Sequence, residues 1–320
     1  MILLISSKYD ITTSTVIDWL NKYKVEYKNL NTEEFNSLNS FTLSNSNISV
    51  VIDKLDFINV SCVWHRKGRL RHVPNQLNNL GNYSSYLKKE EDALIKSIEL
   101  YLKDTVEYVG SYLKEIENYK LFNLIKAKEV GLQIPETLIT TSKTDLSNFL
   151  NKNVSISKDI RYSVEIKTKK ESISSCGTFI IKKTDLDLLD DSFAPILVQK
   201  QIEKEFEIRV FFFKDKLYSM AIFSQNDEKT KIDFRNYNRE KPNRCVPFIL
   251  PKKIEKKVIA FMSKVNLKTG SIDIIYTTSK EYVFLEVNPM GQLDWVSKNC
   301  NYYIEKNIAS ALIENGIRKN

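Results

Sequence analysis

Asp273, Glu286 and Asn288 are the residues of this chain whose types and spacing most directly suggest chemistry. Asp273 lies in Ser-Ile-Asp-Ile-Ile, and Glu286 and Asn288 lie in Phe-Leu-Glu-Val-Asn-Pro. On a strand, Glu286 and Asn288 point to one side. Pairing across a turn at 277–281 would bring Asp273 near Glu286. Three hard oxygen donors on one spot suit Mg²⁺, which takes one or two carboxylates and completes its shell with water and phosphate oxygens. Either acid alone reads as the wet face of a hairpin, but the trio sits among Ile, Phe and Val, where uncompensated charge is costly. Lys120 opens a helical segment and Lys158 ends the alternation Val-Ser-Ile-Ser-Lys. A lysine at the end of an inward strand can hold a phosphate as a point charge, although each also reads as one exposed lysine among many. Between them, the apolar run 196–202 meets the polar stretch 203–209, which predicts a hinge between two sheets. Backbone groups at such a hinge can read an adenine edge, and a nearby carboxylate can bind ribose hydroxyls. Glu207 and Arg209 share a face there. Residues 233–244 hold three arginines in a loop, a setting that binds carboxylate or phosphate with both arms of the guanidinium or simply faces solvent.

The elements that must position these groups follow from periodicity. Residues 2–5 predict a buried strand, and 12–23 a helix with Val16, Ile17, Trp19 and Leu20 on one face. Residues 48–52 and 57–64 predict strands about a polar turn, and a polar stretch follows at 75–85. One long helix is predicted over 86–116, with Leu94, Ile98, Tyr101, Leu102, Val106, Val109, Leu113 and Ile116 on a single stripe. Next come a helix over 120–130 stopped by Gly131, a strand at 137–140 and a helix at 142–150. Strands are predicted at 154–158, 162–168, 178–182 and 195–202, with a loop at 187–191. The last third predicts strands 206–213 and 217–224 about a Lys-Asp-Lys turn, a polar loop at 225–245 and a helix at 252–264. A hairpin over 270–277 and 281–287 and a closing helix at 297–315 complete it. The fold class is α/β (α+β) in three units: residues 1–117, 118–202, and an antiparallel unit 203–320 carrying the metal site.

Composition narrows the function. With 320 residues, 42% of them hydrophobic, the chain can build more than one core. Its 8 glycines are too dispersed for a phosphate loop or a dinucleotide turn. The 4 cysteines make no CxxC pair, and His65 and His72 are the only histidines, which disfavours zinc, a disulfide framework and a histidine-based triad. Met1 runs straight into a short apolar strand rather than a signal segment, and no apolar run is long enough to span a membrane, so a cytoplasmic protein is expected. The net charge of +8 suits an anionic partner but is spread along the chain.

Taken in order, these pieces resemble the ATP-grasp ligases. The resemblance implies an ATP-grasp fold behind an N-terminal pre-ATP-grasp domain, with ATP and Mg²⁺ as cofactors. Lys120 and Lys158 look like the superfamily's phosphate lysines, Gln199, Lys200 and Ile202 like its adenine hinge, and Glu207 like its ribose carboxylate. Asp273, Glu286 and Asn288 look like its Mg²⁺ ligands. The blocks Val-Trp-His-Arg-Lys-Gly at 63–68, Phe-Glu-Ile-Arg-Val-Phe-Phe at 206–212, Ile-Asp-Phe-Arg-Asn-Tyr-Asn at 232–238 and Leu-Glu-Val-Asn-Pro-Met-Gly-Gln at 285–292 narrow it further. They are similar to the grasp-with-spasm peptide maturases, the graspetide synthetases related to microviridin-type macrocyclases. His65 and Lys67 depart from that family's first block, and a phosphate-covering loop is placed only loosely, at 170–177. The resemblance implies a cytoplasmic ATP-dependent ligase that activates Asp or Glu side chains of a ribosomally made precursor peptide and closes ester or amide rings. Arg209, Arg235 and Asn236 would be its catalytic residues. No nucleic-acid or membrane partner is implied, and a homodimer is left open. The competing readings are a ligase adding an amino acid to a peptide or protein carboxylate, and a non-catalytic peptide or nucleic-acid binder.

Overall fold

The computed structural model describes residues 1–72, 81–161, 165–168, 171–174, 177–227, 230–235 and 238–317. The first unit is built on β1 (Ile2–Ser6), whose side chains alternate between two cores. Ile2 and Leu4 face one, and Leu3 and Ile5 the other. Burial on both faces is what a central parallel strand requires. β1 lies between β2 (Tyr27–Asn31) and β6 (Cys62–His65), with β7 (Glu107–Gly110) beyond β6, all parallel. A meander of β3 (Leu38–Leu43), β4 (Ile48–Ile52) and β5 (Leu55–Asp56) sits beside this sheet. The helix α1 (Ile11–Lys22) starts at Asp10, whose carboxylate accepts the Thr13 backbone N–H at 2.9 Å. The helix α2 (Asn82–Thr105) covers the other face.

The structure corrects three expectations here. The predicted helix over 86–116 is three elements, because α2 ends at Thr105, β7 follows, and α3 (Tyr112–Ile116) is a separate short helix. Val109 therefore fills a sheet core rather than a helix stripe. The predicted strand over 57–64 is broken by a helical turn at Phe57–Asn59. The closing helix is two helices, α7 (Asp294–Cys300) and α8 (Ile304–Ile317), separated by left-handed Asn301. The sequence reading also passed over β2, β3 and β7.

The middle unit follows α4 (Lys120–Glu129), which stops at Gly131 with φ +79°. β8 (Thr137–Ser142), α5 (Lys143–Lys152), β9 (Ser155–Lys158), a hairpin of β10 (Glu165–Lys167) and β11 (Ser172–Ser174), β12 (Phe179–Ile181) and β13 (Ser192–Lys200) follow in order. The sheet runs β12-β9-β13-β8, antiparallel, under α5. Residues 162–164 of the predicted strand 162–168, and part of the loop placed at 170–177, lie outside the described residues.

The last unit is a five-stranded antiparallel sheet, ordered β16 (Arg244–Phe248), β15 (Lys216–Phe223), β14 (Lys204–Phe213), β17 (Thr269–Thr277), β18 (Tyr282–Asn288). Lys214 and Asp215 turn between β14 and β15 with φ of 45° and 65°, the left-handed pair a tight hairpin needs. Phe206, Ile208, Val210 and Phe212 face a core shared with α4 and α6 (Lys252–Lys264). Phe211 and Phe213 face the opposite way, into a core shared with β1, β6 and α8. Glu207 and Arg209 are on that second face, near its open end.

Candidate active site

Asp273 is opposite Glu286 in the β17–β18 ladder, and Arg209 of β14 is opposite Asp273 on its other side. Strict alternation along β18 would not produce this arrangement. Phe284 belongs to the apolar core, and residues two apart share a face. The ladder slips between the Asp273–Glu286 and Ile274–Phe284 pairs, leaving Leu285 extra on β18. This bulge turns Glu286 and Asn288 onto the face of Asp273 while Phe284 stays in the core. Asn288 donates its amide N–H to Glu286 at 3.4 Å. Asp273 and Glu286 are each 8% exposed.

Cations surround the two acids. Arg209 Nη1 donates to both Asp273 oxygens at 2.6 and 2.7 Å, and its Nε is buried without a hydrogen-bond partner. Lys120 Nζ is 3.8 Å from Glu286 and also donates to the Asp159 carbonyl. A cation in the first turn opposes the helix dipole of α4, so Glu286 compensates a locally unfavourable placement. Arg235 grips Asp233 through Nε and Nη2 at 2.8 and 2.7 Å and places Nη1 3.7 Å from Glu286. Lys158, at the end of β9, lines the same cleft. Burial pushes the Lys158 ammonium below its ordinary range, against the pull of Glu286. Burial pushes the two carboxyls up: it prevails at Asp273, whereas at Glu286 the charges of Lys158, Lys120 and Arg235 outweigh it and hold the group below its usual range. Four cations face Asp273, Glu286 and Asp233, one positive charge in excess. Such a site suits a polyanion.

The cleft, with an open volume of about 830 Å³, runs from these charges to the hinge. Gln199 is buried and donates its side-chain amide to Thr137 at 2.9 Å. The Lys200 and Gln201 N–H groups bond the Glu136 and Val154 carbonyls, and Ile202 lines the cleft. Glu207 lies deeper, where one oxygen accepts from Lys204 at 2.6 Å and the other from the Ser224 hydroxyl. Burial pushes its carboxyl up against those two bonds. The structure thus brings Lys120, Lys158, Gln199, Ile202, Glu207, Arg209, Arg235, Asp273, Glu286 and Asn288 to one cleft or its border. Lys200 lines the cleft as well, with its side chain exposed, and Asn236 lies outside the described residues.

Residues 116–314 match the model of the RimK-like ATP-grasp domain. The chain belongs to that family. The fold of this RimK-like ATP-grasp chain is shared with solved structures. One is the RiPP-associated ATP-grasp ligase of Chryseobacterium gregarium, solved with ADP and a leader and core peptide. It is 23% identical, with a TM-score of 0.86 over 98% of this chain and 96% of that one. Another is the macrocyclase MdnC of Microcystis aeruginosa, bound to precursor peptide MdnA. It is 24% identical, with a TM-score of 0.81 over 98% and 99% of the two chains. At these identities the likeness is one of fold. A stretch of 203 residues is also 26% identical to RecBCD enzyme subunit RecB of Borreliella burgdorferi. The chain spans 16% of the length of that protein, too little to carry its activity over.

A second, wider cleft of the RimK-like chain, about 2060 Å³ in open volume, shares Ile222, Phe234 and Arg235 with the first. The sequence reading missed the residues that shape the join. Trp295 stacks on Phe234 at 5.9 Å and sits 6.0 Å from the Arg209 guanidinium. Lys204 ties Glu207 to the Ile232 carbonyl, three residues before Arg235. Lys204 stands three positions before Glu207 on β14, which alternation would put on the opposite face, and only the register shift between Lys204 and Phe206 brings the two together. Trp295 carried no local signal. No helix among the described residues is long and apolar enough to cross a membrane.

Proposed function

We propose that this chain is an ATP-dependent peptide maturase. It activates Asp or Glu side chains of a ribosomally made precursor as acyl phosphates and closes side-chain ester or amide rings. The observation that carries the reading is the meeting of two clefts: a slot lined with cations and acids and a wider groove share Ile222, Phe234 and Arg235 as lining residues. Solved relatives of the same fold hold ADP and precursor peptides, which supports the reading.

Lys120 and Lys158 would hold the phosphates, the hinge at Gln199–Ile202 the adenine, and Glu207 the ribose. Asp273, Glu286 and the Asn288 amide oxygen, once that amide no longer donates to Glu286, would give an all-oxygen donor set that fits Mg²⁺. Among the described residues no three His, Cys, Asp or Glu side chains gather as a metal group, so such an ion would complete its shell with water and phosphate. Bound there, Mg²⁺ would neutralise triphosphate charge. Arg235 stands at the join, where it can orient the substrate carboxylate, and Arg209 holds Asp273 in place. The substrate carboxylate oxygen bonds the γ-phosphorus as the bond to ADP breaks. A Thr or Ser hydroxyl, or a Lys amine, then attacks the acyl carbon, phosphate leaves, and the attacking group loses its proton. Positioning and charge neutralisation suffice for such transfer, and removing one charged contact should cost on the order of 10²–10³ in rate.

The RimK-like match favours a second reading, ligation of an amino acid onto a peptide or protein carboxylate. Mass spectrometry of a co-expressed candidate precursor separates the two. Ring closure removes one water per bond, ligation adds a residue, and an unchanged peptide alongside ADP release would overturn both.

A further inference from the structure

β18 ends at Asn288, and residues 289–291 turn back at once, with the Gly291 N–H bonding the Asn288 carbonyl at 2.9 Å. The turn is gripped from outside its own unit. Arg66, one residue past β6, donates Nη1 to the Met290 carbonyl at 2.7 Å and Nη2 to the Gly291 carbonyl at 3.1 Å. Glu115 of α3 accepts the Met290 N–H at 3.2 Å, and Asn118 donates to the Val287 carbonyl at 2.9 Å. Both polar groups of the Met290 backbone are therefore held by side chains of the first unit, and the Val287 carbonyl by Asn118 just after it.

The choice of side chain is informative. Arg66 is only 6% exposed, its nearest carboxylate is Asp10 at 3.9 Å with Asp294 and Glu115 adding their charge from further off, and its Nε has no hydrogen-bond partner. Burying a guanidinium with so loose a counter-charge is costly. Two adjacent carbonyls, however, match the planar fork of an arginine, which no shorter or single-headed donor can span. Merely fastening the first unit to the last would not require this, because the apolar core they share already does so.

We propose that Arg66 is a positioning residue for the metal site: by clamping the turn after Asn288 it holds the Glu286–Asn288 end of β18 in register with Asp273. The proposal rests on the reading of those three residues as the Mg²⁺ ligands. Groups that orient metal ligands typically matter 10–100-fold in metal affinity. The test is calorimetric titration of adenylyl imidodiphosphate with and without Mg²⁺, on wild type, Arg66→Met and Arg66→Lys, with melting temperatures recorded. Metal-free affinity should stay within about twofold of wild type, while the gain in affinity on adding Mg²⁺ should fall by about tenfold in Arg66→Met. Arg66→Lys, which can reach one carbonyl, should fall between, and it carries the test alone if Arg66→Met does not fold. A folded variant with an undiminished Mg²⁺ gain overturns the clamp and leaves the proposed function standing. A wild type with no Mg²⁺ gain overturns the metal reading and the clamp together.

Discussion

Lys158 and Glu286 sustain each other across the cleft. The lysine is buried at a cost, and its ammonium is one of three charges that keep Glu286 ionised. A group held this way is ready to bind phosphate. Lys158→Met should weaken ATP binding by about 10–100-fold, the worth of one charged hydrogen bond, in a calorimetric titration. Unchanged affinity would remove Lys158 from the phosphate site. His65, in the block that sequence reasoning left without a role, is structural. Its Nε2 faces the Gly68 carbonyl at 2.7 Å and so carries the proton, while Nδ1 accepts from the Tyr108 hydroxyl at 2.8 Å. Burial pushes it below its ordinary 6.5 despite Glu99 nearby, so the folded state keeps it neutral and the unfolded chain takes up the proton first. Its contribution to stability is complete above about pH 6.5 and lost as pH falls below that, by at most ~1.4 kcal/mol per unit. Denaturant midpoints at about pH 7.5 and about pH 5.5 should differ less in His65→Gln than in wild type, and equal differences would contradict this. The acids, Lys158 and the hinge were legible in sequence because each sits in or at the end of a patterned strand, and Lys120 because it opens a patterned helix. Arg66 was quoted but unassigned, since its partners are backbone carbonyls more than two hundred residues away.

At the scale of elements, the bulge at Leu285 and the turn at Gly291 decide whether the acids face the cleft. Sequence alternation placed Glu286 and Asn288 together correctly but could not reveal that Phe284 needed a slip to reach the opposite core. A side chain at Gly291 would put its Cβ 2.4 Å from Ser271 Cβ, which is fully buried beneath it. Gly291→Ala should therefore destabilise the protein by ~1–3 kcal/mol in denaturant unfolding and lower Mg²⁺-dependent ADP release beyond what unfolding explains. Wild-type stability would mean the turn is looser than described. The misread helix over 86–116 has a physical explanation. Val106, Val109, Leu113 and Ile116 fit a helical stripe by spacing, yet Val106 and Val109 are β-branched and Gly110 interrupts the run. Gly110 has φ +79°, and a Cβ there would lie 1.9 Å from the His65 carbonyl oxygen, so the chain leaves the sheet at a point only glycine fits.

Across the whole molecule, the last helix closes on the first sheet. Ile304, Ile308 and Leu312 of α8 pack with Ile2, Leu4, Val16 and Leu20, so the unit that carries the acids shares a core with the unit that carries Arg66. No local pattern announces such a contact, because it joins the two ends of the chain. The order of the motifs did indicate the ATP-grasp architecture, since that order is itself a whole-chain property. The central claim is that Asp273, Glu286 and Asn288 gather over a divalent ion that carries the triphosphate. It is tested most directly by Mg²⁺-dependent ADP release, with a cognate precursor peptide present, from wild type and from a Glu286→Gln, Asn288→Ala double variant of matched melting temperature. Release that needs Mg²⁺ in wild type and is abolished in the double variant is the predicted result. ADP release by the folded double variant at the wild-type rate would contradict the account.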